Sequence, residues 1–229
     1  MWGTRLDAPA RLIPPGLPLT TLLLCGAAGA IMAQPPLQAA LIYSRAAIDG
    51  GEAWRLVTGN LVHLSASHFF VDVVALAVVG MLIEMRRYRC FSILCLASGT
   101  LIGVTLYALE PELLIFGGLS GMVTAGVTFL CLHGLREAGA WRWICLATLI
   151  CLAIKMSLEL ALGSSLLHLA GYENQGFVPV PLSHVVGAAT AVLVFGLTSR
   201  SARAVAPGPG PRRVRKGPAP TPVSRPSGG

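Results

Sequence analysis

Apolar stretches close to the length of a bilayer crossing recur along this chain. They restrict it to a bundle of helices, because hydrocarbon offers backbone N–H and C=O groups no partner outside the segment itself. Six such stretches run from about Leu17 to Ala33, His68 to Met85, Cys90 to Leu109, Ser120 to Leu135, Trp141 to Leu162 and Pro179 to Leu197. Most approach the ~20 residues that cover the hydrocarbon core. The charged fraction is 12% and the hydrophobic fraction 54%, where a soluble domain would carry nearer ~25% charge. The chain therefore reads as an all-α, multi-pass integral membrane protein. The first stretch is short and ends at Pro35-Pro36. It has the apolar core of a signal peptide, but no small-residue cleavage pattern follows it and five further stretches do, so it reads as a helix.

Arginines set the expected orientation, since cytoplasmic loops carry the excess of positive charge. With the N-terminus inside, the inner segments hold Arg5 and Arg11, then Arg86, Arg87 and Arg89, then Arg136 and Arg142. The outer loops hold only Arg45 and Arg55, together with Glu110, Glu112 and Glu173. Six spans with N- and C-termini cytoplasmic fit every loop. The expected organisation is a cytoplasmic N-terminus over 1–16, a membrane domain over 17–199 and a Pro/Gly-rich basic tail over 200–229. The tail, with Arg212, Arg213, Arg215 and Lys216, cannot bury enough surface to fold and is expected to lie disordered against anionic lipid. The net charge of +7 thus reports topology and tail, and no nucleic-acid partner is expected. The six cysteines fall within or beside the apolar stretches without metal-type spacing, so they read as free thiols.

Four polar clusters interrupt this apolar background. Phe116 to Val127 reads FGGLSGMVTAGV, with Ser120 among Gly117, Gly118 and Gly121 at the entry to a hydrophobic helix. Glycines there let the backbone turn sharply and let other groups come close. A helix start also supplies unpaired N–H groups for a developing oxyanion. Ser120 is the first candidate nucleophile, and plain helix packing is the alternative. The second cluster is His63, His68 and Asp72. His68 and Asp72 stand four apart and share a helix face, where ionisable groups are costly and point inward or at water. A metal bound by these three residues is the competing reading, and it requires His63 to lie in the loop before the helix.

The third cluster is Lys155 and Glu159, again i and i+4, read as a pair that neutralises itself. The fourth is His184, one turn into the last stretch behind Pro179 and Pro181. Gly187 and Ala191 below it make a small-xxx-small face, as do Gly121 and Ala125 below Ser120. Both helices are entered from the outer side, so serine and histidine reach similar depth. If the two small faces pack together, the pair has the geometry of an activated nucleophile. His68 reaches that depth too. His133 and His168 read as interfacial residues without chemistry, and Trp54-Arg55 as an interfacial anchor.

His63-x4-His68-x3-Asp72, then Gly118-Leu119-Ser120-Gly121, then His184-x2-Gly187, in that order on six spans, strongly resembles the rhomboid intramembrane serine proteases. Trp54-Arg55 and Glu84 also fall where that family has them, and the likeness covers roughly Ala53 to Gly196. WRLVTGNLVHL, the GLSG form and the compact length look like the rhombosortase branch, associated with bacterial surface proteins that carry a C-terminal Gly-Gly sorting segment. The resemblance implies a six-helix rhomboid-like bundle in a bacterial inner membrane. It implies Ser120 as nucleophile and His184 as general base, a dyad without a third carboxylate. His68 and the backbone N–H groups near Leu119 and Ser120 would hold the oxyanion, with Gly118, His63 and Asp72 in support. The partners it implies are the bilayer and transmembrane segments of protein substrates, with no cofactor and no metal.

Three positions depart from the family pattern. Asp72 stands where Asn is usual, Thr124 replaces an aromatic or histidine, and Ala191 replaces a second glycine. An ionised Asp72 would repel an oxyanion unless it is protonated or paired with a cationic His68. The alternative reading is a proteolytically silent rhomboid-like protein that binds transmembrane segments and escorts or retains them. A transporter built on Lys155, Glu159 and Asp72 ranks third, lacking repeats and broken helices.

Overall fold

The structure, a computed structural model, describes residues 16–162 and 180–204, with side chains to residue 199. Expectations for Arg5, Arg11, His168, Glu173, Pro179 and the basic cluster from Arg212 to Lys216 lie outside the described residues. Every apolar stretch read from the sequence carries a helix: α1 (Leu19–Met32), α5 (Ala66–Met85), α6 (Phe91–Leu109), α7 (Ser120–Gly134), α8 (Ala140–Leu162) and α9 (Pro181–Ala204). α9 thus runs past Leu197, where the apolar stretch ends. Between α1 and α5 lie three short helices, α2 (Pro35–Leu41), α3 (Arg45–Asp49) and α4 (Arg55–Thr58), and a single 3-10 turn, Gly59–Leu61.

α5, α6, α8 and α9 are each long and apolar enough to cross a bilayer. The protein is a multi-pass helical membrane protein. α1 qualifies only when joined to α2, from which it is bent by 112°. The bend has a covalent cause, since Pro35 and Pro36 offer no N–H to continue α1 and are well placed to begin α2. α7 has 15 residues, about 22 Å at 1.5 Å per residue. It is short because the chain before it is occupied otherwise. Ile115–Phe116 pairs antiparallel with Tyr43–Ser44, and Gly118 then takes φ +139°, a conformation that no helix contains.

α7 is the central element, packed against α5, α6, α8 and α9. Its Ala125 and Phe129 are fully buried, together with Leu76, Ile83, Ile102, Leu106 and Ala191 from the helices around it. α8 lies at the periphery, where Trp143, Ile150 and Ile154 face outward to lipid, and its buried residues are Cys145 and Glu159. All six cysteines are free.

Polar side chains join helix ends that would otherwise be unsatisfied. Glu84, near the end of α5, accepts from the Thr20 and Thr21 backbone N–H groups at 3.0 and 2.9 Å and from the Thr21 hydroxyl at 2.6 Å. It therefore caps α1, each charge-assisted bond contributing on the order of 1.5–3 kcal/mol. Arg45 donates to the Tyr107 and Glu110 carbonyls, both at 2.8 Å, closing the end of α6. Arg55 donates to Ala39 and Ile42 carbonyls at the end of α2, also at 2.8 Å. Trp54 beside it stays exposed. Gly99 and Gly103 on α6 receive the α4 segment, which comes so close that a Cβ on Gly103 would lie 1.8 Å from the Leu56 carbonyl oxygen, while one on Gly99 would touch both Val57 and Met122 of α7. Asn60 fixes this contact by donating to the Gly99 carbonyl at 3.0 Å.

At the end of the bundle that carries Glu84, Tyr88 donates its hydroxyl to Glu137, and Arg86 reaches the same carboxylate at 2.6 Å. The Tyr88 hydrogen bond first, and Arg86 after it, hold the Glu137 carboxyl below its ordinary range. A depressed folded-state value contributes stability above the unfolded carboxylate value, near ~4.3, that is lost as pH falls through the folded one. Glu137→Gln is therefore expected to lower the melting temperature at neutral pH and to make the loss of stability below about pH 4 shallower. Melting curves in detergent across that range check this, and an unchanged acid limb would refute it.

Candidate active site

Two local features place the serine. Gly118 turns the chain with its positive φ, and α7 begins two residues later at Ser120, behind Leu119 at the N-cap. The loop is wedged tightly: a Cβ on Gly117 would lie 2.7 Å from the Val62 carbonyl oxygen, and one on Gly118 would lie 2.7 Å from the His68 ring. Ser120 itself is half-buried, and its first-turn N–H groups have no partner within the helix.

His184 sits in the first turn of α9 and is 8% exposed. α7 and α9 meet through the smallest residues they carry. A Cβ on Gly187 would stand 2.1 Å from the Gly121 carbonyl oxygen and 3.4 Å from the Ala125 nitrogen, and one on Gly121 would stand 2.9 Å from the Ser183 carbonyl oxygen. Ala191 continues the same face, fully buried. The residues in contact, Gly121 and Ser183, are the immediate neighbours of Ser120 and His184. Thr124 turns its hydroxyl back to the Ser120 carbonyl at 2.9 Å, satisfied within its own helix.

His68 is held in the first turn of α5, where Ser65 at the N-cap accepts its backbone N–H at 3.3 Å. His63 lies ahead of that helix, and His63 Nε2 and His68 Nε2 both stand 3.2 Å from Asp72 Oδ2. One carboxylate oxygen can accept from both rings. The Leu119 N–H approaches the same His63 nitrogen from 3.4 Å, too far to compete strongly. His63 Nδ1 is buried without a hydrogen-bond partner among the described residues. A proton on Nε2, toward Asp72, leaves an unmatched acceptor there, which costs less than an unmatched N–H. The ligand atoms of His63, His68 and Asp72 all lie within 4.8 Å of one another, so among the described residues these three could hold a metal.

One neighbour was missed from the sequence. Glu159 is fully buried, and its Oε2 lies 3.0 Å from His184 Nδ1 and 2.7 Å from Lys155 Nζ. Lys155 and Glu159 do pair with each other, as their spacing predicts, but the pair is turned onto the histidine. The available signal was the cost of a carboxylate in a span, which demands a face toward the bundle. The spacing rule satisfied that demand too early.

A family model described as the Rhomboid domain matches residues 50–201. The chain belongs to the rhomboid family. The matched stretch contains His63, His68, Asp72, Ser120, Glu159 and His184. Rhomboids are in general intramembrane serine proteases that act on transmembrane substrates in a bilayer. No curated protein matches the chain individually.

Gly118 is a backbone position at which the candidate site is sensitive to a single change. Gly118→Ala places a methyl against the His68 ring at a φ that L residues rarely adopt. Misplacing groups by about 1 Å can cost 100-fold in rate. The variant is expected to react about 100-fold more slowly with a fluorophosphonate serine probe, measured as the labelling rate in detergent.

Proposed function

We propose that this protein is an active rhomboid-type intramembrane serine endopeptidase, with six spans and both termini cytoplasmic. Ser120 Oγ attacks the scissile carbonyl carbon while His184 takes its proton. The oxyanion that forms is held by the Leu119 and Ser120 backbone N–H groups and His68. Collapse of the tetrahedral intermediate breaks the C–N bond as His184 returns the proton to the leaving amine. Water then attacks the acyl-serine with His184 again as base, releasing the new carboxylate.

The observation that carries this reading is the α7–α9 contact at Gly121 and Gly187, which sets the serine and the histidine on facing helix ends beside His68. The length of α7 supports the depth required. At about 22 Å it falls some 8 Å short of a ~30 Å hydrocarbon core. With its C-terminal end at the inner face, Ser120 lies below the outer surface yet within reach of water. A substrate helix cut there has to be unwound first, so a segment rich in Gly is easier to use. That fits the Gly-Gly sorting segments handled by the rhombosortase branch, to which the WRLVTGNLVHL and GLSG sequences are similar.

Asp72 is the observation that favours the second reading, a silent relative that binds and escorts or retains transmembrane segments. Its Oδ2 would lie 3.6 Å from a Cβ on Gly118, close to where negative charge develops. Its engagement with two imidazoles offsets that cost and favours the enzyme.

Wild-type protein in detergent is expected to take up a fluorophosphonate probe, and Ser120→Ala to take up none. His184→Ala is expected to react slower by a factor on the order of 10⁴ or more. Equal labelling of all three proteins would remove the protease reading. Asp72→Asn is expected to keep or raise the labelling rate, because an amide in that position can donate to the oxyanion. Complete loss in that variant would assign the carboxyl group an essential part.

A further inference from the structure

A carboxylate with no exposed surface, on a helix that mostly faces lipid, has to be accounted for by what it touches. Glu159 Oε2 lies 2.7 Å from Lys155 Nζ and 3.0 Å from His184 Nδ1. Lys155 Nζ is in turn 3.3 Å from His184 Nδ1. The proton on His184 can be deduced from these three distances. Were Nδ1 bare, its lone pair would face a carboxylate oxygen at 3.0 Å, and two acceptors would repel at hydrogen-bond distance. With the proton on Nδ1, Oε2 accepts from the ring and from the ammonium together. The longer Lys155 contact to the ring is then the consequence of sharing one oxygen. The proton on Nδ1 leaves Nε2 bare, which is the tautomer that a base needs in order to accept from a serine hydroxyl.

We propose that Glu159 is a positioning residue that makes the site a Ser120–His184–Glu159 triad, with Lys155 as the counter-charge that lets the carboxylate stay ionised in the membrane. This rests on His184 acting as the general base. Glu159 touches no substrate. It fixes the tautomer and rotation of the ring at rest and faces the positive charge that His184 acquires when Ser120 Oγ gives up its proton to Nε2. Lys155 suits its place, because its side chain is only partly covered at 35% exposure and can keep contact with water while its ammonium meets the buried carboxylate. Lys155 and Glu159 carry opposite formal charges, so the pair faces the ring without placing a net charge beside it.

The test uses the full chain in detergent with a fluorophosphonate probe, and compares wild type, Glu159→Gln and Lys155→Met. Glutamine keeps the size of the side chain, but its amide can donate to Nδ1 and so admits the wrong tautomer. The maximal labelling rate of Glu159→Gln is expected to fall about 100-fold, as when outer partners of working histidines are removed. Its half-saturating probe concentration is expected to be unchanged. A purely structural pair would instead lower the melting temperature in Glu159→Gln and Lys155→Met alike, without separating maximal rate from half-saturation. Labelling of Glu159→Gln within threefold of wild type, with normal melting, would overturn the proposal.

The second measurement needs no variant and no activity. Nitrogen-15 resonances of His184, labelled in the wild-type protein with the ring neutral, report which nitrogen carries the proton. A proton on Nδ1 supports Glu159 as the orienting group even if the probe never reacts, in which case the protease reading fails alone. A proton on Nε2 overturns the triad whatever the labelling rate.

Discussion

Everything the site does depends on two helices approaching without side chains between them. Gly121 and Gly187 leave their backbones in contact, so close that a methyl on Gly187 would overlap the Gly121 carbonyl. Lipid tails are as apolar as leucine, so greasy faces alone give helices no reason to prefer one another. Close backbone packing supplies a preference that is both attractive and specific in register. One turn of slip along either helix would shift Ser120 by about 5 Å relative to His184. The same contact that stabilises α7 against α9 therefore fixes the alignment of the two groups beside it.

The rest of the bundle secures the flanks of that contact. α5 brings His68 and Asp72 to the loop before Ser120, and the absence of a side chain at Gly118 admits the ring. α6 carries the α4 segment on its small residues, which in turn sets the 59–63 stretch and the position of His63. α8, touching the bundle along one narrow face, delivers a single ion pair to the back of His184. The arrangement is economical in charge. Asp72 is met by His63 and His68 at 3.2 Å, and Glu159 by Lys155 and His184 at 2.7 and 3.0 Å.

Much of this was legible in the sequence, because the constraints were local. Helix positions followed from hydropathy, and the end of the first helix from Pro35-Pro36. The meeting of Gly121 with Gly187 followed from two small-xxx-small patterns at matching depth. What could not be read was set by the third dimension. Arg45 and Arg55 counted as loop charges, but they spend their donors on carbonyls of α6 and α2. The close seating of α4 on Gly103 of α6 had no signal in the order of residues. Glu159 satisfied a spacing rule with Lys155, and nothing in a linear sequence says that a pair four residues apart will be turned toward a histidine on another helix. The short length of α7 was already contained in the stretch read from Ser120 to Leu135, but the pairing of Ile115–Phe116 with Tyr43–Ser44 ahead of it was not.

The Glu84 cap has a consequence for where this protein can be divided. The matched family region begins at residue 50, beyond α1 and α2. Yet the carboxylate that ends α5, well inside that region, is satisfied by three donors from Thr20 and Thr21. A fragment cut at the similarity boundary would present a bare anion beside apolar surface, with Gly80 of α5 uncovered where Thr21 had rested. Homology and foldability draw their borders at different residues here. The first helix is an integral wall of the unit, and its loss would be felt first at the cytoplasmic end that the proposed topology gives to Glu84.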